Sequence, residues 1–211
     1  MRIRAQTQRQ ILSSIVGTMN TDIVPPTSSL ERYLIKKGLI HALELDNAPL
    51  LKRWLTRAAF VEQLDLLQER LQISQLWSIV EQQHCLKSLF IQQWEESPFK
   101  ESTHRSLTAL GNVFYQSGRV NLSEALLPFW QQWSAENGWG KKSHLDWLTC
   151  KSMVFQHRSQ PQENALLQHQ ILEQTIEIFG EEAVETTLAL NNYGCTLQAL
   201  GKGEEGNSYL E

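Results

Sequence analysis

The chain has 211 residues, 41% of them hydrophobic and 20% charged, with a net charge of −4, enough to bury one good-sized core or an extended array of helical hairpins. An isoelectric point near 5.9 excludes electrostatic steering toward nucleic acid and a polybasic membrane patch, and no apolar run approaches the roughly 18 residues of a membrane span. The three cysteines, Cys85, Cys150 and Cys195, are widely spaced without a CxxC pair, which points to reduced thiols in a cytoplasmic protein.

Residues 1–29 form an N-terminal segment and linker. The stretch from Met1 to Thr21 has no acid, and Arg2, Arg4 and Arg9 stand beside the apolar positions Ile11, Leu12, Ile15, Val16 and Met19. Such a pattern suits a transit peptide or a short amphipathic helix, and Ser13, Ser14 and Gly17 interrupt its apolar part. Pro25-Pro26 then forces extended backbone. Residues 30–97 are expected to be a helical cap or adaptor region. Leu34, Ile35, Leu39, Ile40, Leu43 and Leu45 favour one face, and Pro49 suits the first turn of the next helix. Between Pro49 and Pro98 there is neither Gly nor Pro. One helix is expected over Leu50–Leu71 and a second over about Leu76–Glu95, with Ser74 as the break and cap and Ile79, Val80, Leu86, Leu89, Phe90 and Trp94 buried.

From residue 98 onward the chain repeats itself. In LTALGNVFYQSG, Leu107, Leu110, Gly111 and Phe114 precede a closing Gly118. Leu190, Tyr193, Gly194 and Leu197 precede Gly201 at the same spacing. A mid-helix glycine with large flanks lets a second helix approach the backbone. The two glycines lie 83 residues apart, which fits two repeats of about 42. A middle copy should therefore centre near Ser152, with Leu148 and Phe155 at large positions and Ser159 in place of the closing Gly. Between these come a helix over Leu122–Trp133 that Pro128 should kink, a turn over Asn137–Lys142, a break at Arg158–Gln162, and a helix opened by Glu163 and Ala165. Gly180 stops that helix, and Glu181 and Glu182 favour the start of the next. No segment alternates as a strand would. The last repeat is unfinished: its second helix can begin only near Glu204. The face of Leu190, Tyr193 and Leu197 should then be only partly covered and open to self-association.

ILEQTIEIFGEEAVETTLALNNYGCTLQALGKGEEGNSYLE, Ile171–Glu211, resembles the long tetratricopeptide repeats of kinesin light chains and nephrocystin-like proteins. Leu190, Asn191 and Asn192 match their Leu-Asn-Asn-Leu core, and Tyr193 replaces the second Leu. SLERYLIKKGLIHALELDNAPLLKRWLTRAAFVEQL looks loosely like the helical region that joins a nucleotide-binding module to a repeat arm in signal-transducing NTPases, although no phosphate loop is present. The resemblance implies an all-α, right-handed helical-hairpin solenoid that binds a protein or peptide on its concave face as a scaffold. Its groove would be lined by Arg105, Thr108, Asn112, Tyr115 and Gln116 in the first copy, Asp146, Thr149, Gln156 and His157 in the middle one, and Asn191 and Gln198 in the last. Thr108 stands where some relatives use Lys to hold a terminal carboxylate, so carboxylate recognition is not expected. The alternative is the sensor or regulatory arm of a larger signal-transducing NTPase.

No catalytic residue, cofactor or metal set is expected. GKGEEG, Gly201–Gly206, matches a dinucleotide fingerprint by letter, yet it follows a helix and puts two acids where a pyrophosphate would sit. It reads as a turn. Glu81 and His84 make one ExxH, whereas di-iron bundles need two and further carboxylates. Cys85 and His84 are sequence neighbours and point apart on a helix. The seven Trp read as packing rather than ligand platforms.

Overall fold

The computed structural model describes residues 70–82, 84–96 and 104–210, together with 6, 7 and 10. Among the described residues there is no strand, and from Arg70 on the helices are α1 Arg70–Glu81, α2 Leu86–Glu96, α3 His104–Gln116, α4 Val120–Asn137, α5 Lys141–His157, α6 Pro161–Phe179, α7 Val184–Ala199 and α8 Gly203–Asn207. Of the expected N-terminal helix only residues 6, 7 and 10 are described, all of them helical; the linker, the segment at Leu30–Leu45 and nearly all of the Leu50–Leu71 helix lie outside the described residues. The chain divides into two compact units, residues 1–117 and 118–211. The division falls inside the array expected from residue 98, between the two helices read as its first hairpin.

In the first unit the break expected at Ser74 is absent. Helix α1 runs through that position, and the Ser74 carbonyl accepts a hydrogen bond from Ser78 Oγ at 2.9 Å. Helix α1 ends instead at Glu81 and α2 begins at Leu86, where Cys85 takes the capping role. Its carbonyl receives Leu89 N–H at 3.1 Å and its sulfur receives Ser88 Oγ at 3.1 Å. The buried face shifts accordingly: Trp77 is buried and Ile79 is exposed. Trp77, Phe90, Trp94 and Phe114 form one aromatic cluster, with Phe114 5.0 Å from both Trp77 and Phe90, the latter edge-on. Each ring buried in this way contributes about 2–3 kcal/mol.

In the second unit each helix packs on the one before it and the one after it. Loops of a few residues between helices this long make neighbours antiparallel. Helix α4 starts before and ends beyond the expected Leu122–Trp133, and it continues through an exposed Pro128 to Asn137, whose side chain closes it on Trp133 O at 2.8 Å. Helix α6 begins at Pro161 rather than Glu163, since Pro fits the first helical position, where no backbone donor is missed. Leu145 and Leu148 from α5, Leu167, Ile171 and Leu172 from α6, and Ala189, Tyr193 and Leu197 from α7 build one core.

The left-handed residues carry the period. Gly118, Ser159 and Gly201 have φ of +73°, +56° and +77°, and Gly138 and Gly180 have +86° and +91°. Within the first series the positions are 41 and 42 residues apart, and within the second 42. Ser159 and Gly201 also close their helices with the same two hydrogen bonds. Gln160 N–H reaches Phe155 O at 3.0 Å and Ser159 N–H reaches Gln156 O at 3.2 Å; Lys202 N–H reaches Leu197 O at 3.0 Å and Gly201 N–H reaches Gln198 O at 2.9 Å. This is the Schellman pattern.

The face of Leu190, Tyr193 and Leu197 is better covered than expected, with Tyr193 8% and Leu197 2% exposed. Two glycines explain it. A Cβ on Gly194 would lie 2.9 Å from Gly206 O, and one on Gly206 would lie 2.8 Å from Gly194 O. The backbones of α7 and α8 therefore touch, which brings Tyr209 edge-on to Tyr193 at 5.0 Å. Gly206, inside the segment read only as a turn, is a contact glycine.

Gly194→Ala should lower the melting temperature by the equivalent of about 1–3 kcal/mol, although helix propensity alone favours Ala by about 1 kcal/mol. Gly203→Ala, whose Cβ meets nothing within 4 Å, is the control and should be neutral. Thermal unfolding of the two variants checks the contact, and a Gly194→Ala protein as stable as the parent would refute it. By the same measurement Ser159→Gly should raise stability by about 1 kcal/mol, because it relieves a left-handed residue that carries a Cβ.

Candidate functional site

The eleven residues expected to line a groove fall in both units. In the first, Arg105 and Gln116 are exposed on α3, and Thr108, Asn112 and Tyr115 are half-buried. Thr108 Oγ1 donates to His104 O at 3.1 Å. In the second, Asp146 and Thr149 are half-buried on α5, and Gln156 and His157 are exposed at its end. With Met153 these four share one face by helical spacing. Asp146 lies 3.5 Å from Lys142 Nζ, and Thr149 Oγ1 donates to Leu145 O at 2.8 Å. On α7, Asn191 is exposed, whereas Gln198 donates to Asn207 Oδ1 on α8 at 2.8 Å. Helices α5 and α7 both pack on α6 and make no close backbone contact with each other. The structure thus gathers the α5 set onto one face and turns Gln198 toward α8.

Two features of the second unit were not anticipated. The first is a hollow of about 400 Å³ lined by Gln131, Trp139, Gly140, Lys141, His144 and Trp147. The ring of Trp139 stands nearly perpendicular to His144 and Trp147, at 5.2 and 5.8 Å. Trp147 is anchored by its Nε1–H on Leu127 O at 3.2 Å and carries Lys151 Nζ 5.1 Å above its ring. Lys141 pairs with Glu177 at the rim. Read as part of a turn, Trp139 gave no signal of folding back onto α5. The second is a stripe along α7, where Val184 is 72% and Leu188 59% exposed. Their spacing of four residues was visible, but not which face α6 would cover.

The cysteines differ in chemistry. Cys150 is buried, and burial pushes its thiol up to about 12. Hydrogen bonds from the Ser88 hydroxyl and backbone N–H hold the exposed Cys85 thiol below its ordinary range, as expected at a helix N-terminus. Among the described residues no group of three or more His, Cys, Asp or Glu is placed to hold a metal ion, and no helix is long and apolar enough to cross a membrane.

Alkylation with iodoacetamide at pH 7, followed by peptide mass mapping, should label Cys85 first and leave Cys150 unmodified until the chain unfolds. Since only the thiolate reacts, a Ser88→Ala change, which removes the hydroxyl donor to the sulfur, should slow the labelling of Cys85 at pH 7.

Compared with family models, with curated proteins and with solved structures, the chain matches none of them, so its function has to be read from its own residues.

Proposed function

We propose that the chain is a non-catalytic, cytoplasmic interaction module whose tetratricopeptide-like hairpins present the polar faces of their first helices to a protein or peptide segment. The observation that supports this most is the recurrence of left-handed backbone at Gly118, Ser159 and Gly201 and again at Gly138 and Gly180, at intervals of 41 to 42 residues. A chain that reverses at such intervals, each helix packing on its neighbours, stacks hairpins and leaves one row of helix faces for binding. On α5 that face is Asp146, Thr149, Met153, Gln156 and His157. Gln156 and His157 on it are exposed. One amide can both donate to and accept from a peptide backbone.

A displayed library of random peptides panned on the full chain should yield binders that contact this face. Gln156→Ala combined with His157→Ala, both at exposed positions, should weaken them at least about tenfold, as truncation at an interface centre does. Melting should hardly change, because exposed substitutions usually shift stability by about half a kcal/mol. Leu166→Asp on α6, at a position 78% exposed, should leave binding intact. Binders lost with Leu166→Asp and kept by the α5 variant would move the site to the other side of the unit.

A further inference from the structure

Along α7 the exposed side chains at Val184, Leu188, Asn191, Asn192, Cys195 and Ala199 follow one another at spacings of four, three or one residues, so they lie along one side of the helix. The row has an order. Its N-terminal half holds the large apolar residues, Val184 and Leu188, and its C-terminal half the small ones, Cys195 and Ala199. The two amides, Asn191 and Asn192, sit between the halves.

We infer that this row is a self-association surface, on which α7 of a second copy of the chain lies antiparallel about a two-fold axis between Asn191 and Asn192. In that register Val184 of each copy meets Ala199 of the other, and Leu188 meets Cys195. A large side chain thus always faces a small one, which permits the close approach that packing requires. The two amides meet across the axis, where each donates to and accepts from its mate. One charge pair fits this order, at ends that also carry Glu182, Glu204 and Glu205. Glu181, in the turn before α7, comes opposite Lys202, in the turn after it, a lysine now 3.2 Å from its own chain's Glu205. Glu185 comes opposite Gln198. A parallel pair would instead set Leu188 against Leu188, Cys195 against Cys195 and Glu185 against Glu185, which adds like-charge repulsion. The antiparallel pair also aligns opposite helix dipoles. The inference stands on the exposure and order of these side chains and does not depend on peptide binding at α5.

Cysteine cross-linking separates the arrangements. In the antiparallel register the two native Cys195 positions lie about 10 Å apart along the axis, beyond disulfide reach, whereas residue 188 of one copy faces Cys195 of the other. In a Cys85→Ser background at about 200 µM, a concentration suited to a small interface, Leu188→Cys under copper-phenanthroline oxidation should convert most of the chain to a disulfide-linked dimer. The same background without that change should stay monomeric on a non-reducing gel. Leu166→Cys, as exposed but on α6, should cross-link at least about tenfold more slowly, as a collision control. Sedimentation equilibrium of the parent should show a dimer that Leu188→Asp abolishes, while its melting curve matches the parent's at a dilution where both are monomeric. Cross-linking through native Cys195, equal rates at positions 188 and 166, or a parent that is monomeric throughout would each overturn the inference.

Discussion

A helix that must turn back against its predecessor has to leave right-handed backbone within a residue or two of its last hydrogen bond. In residues 118–210 a left-handed residue stands before α4, at Gly118, and a single one at every reversal after it: Gly138, Ser159, Gly180 and Gly201. The rest of the unit follows from where these residues stand. They set helix length, and helix length decides which apolar residues come level across the pairs α5–α6 and α6–α7. Leu148, Ile171, Leu172 and Tyr193 then come together in one core. Four of the five are glycine, for which this conformation carries no steric penalty. The fifth, Ser159, bears a cost of about 1–2 kcal/mol and still adopts the same hydrogen-bonding pattern as Gly201. Position therefore outweighs residue preference there, as expected when packing on both sides fixes where the helix must stop.

This explains what was legible in the sequence. Helix and turn positions from residue 104 onward could be read to within a few residues, and the left-handed residues recur at the interval of about 42 that the spacing of Gly111 and Gly194 suggested. What escaped depended on atoms that single residues do not announce. Cys85 ranks low as a capping residue, yet its sulfur and carbonyl open α2, while Ser74, a better cap by preference, lies inside α1. The burial of Tyr193 required knowing that Gly206 meets Gly194 backbone to backbone, which GKGEEG, read as a turn, conceals. The aromatic hollow likewise depends on three residues, Gly138 to Gly140, folding Trp139 onto α5. Of the expected groove residues, helical spacing alone put Asp146, Thr149, Gln156 and His157 on one face. It could not foresee that Gln198 would bond to α8.

The position of the mid-helix glycine shows two solutions to one packing problem. On α7 it is Gly194, and α8 answers with Gly206, so backbone rests on backbone. On α5 it is Ser152, and α6 answers with side chains. Ser152 Oγ donates to Asn164 Oδ1 at 2.8 Å and accepts from Gln168 Nε2 at 2.5 Å, and Asn164 Nδ2 reaches Thr196 Oγ1 on α7 at 3.4 Å. Thr196 Oγ1 in turn donates to Asn192 O at 2.8 Å. All four side chains are buried. Each such bond adds only about 1 kcal/mol net, so the row contributes less to stability than an apolar filling of the same volume could. Its effect is on register. Asn164 and Gln168 are one helical turn apart, and a rotation of α6 by one residue would strip both of their partners at once, leaving several buried polar atoms unsatisfied in place of the single Gln168 Oε1. The apolar core tolerates small rotations, because Leu and Ile fill space in many orientations. The polar row does not, and it holds α5, α6 and α7 in one alignment. That alignment fixes which side of α7 is left outside the core, with Val184 and Leu188 on it.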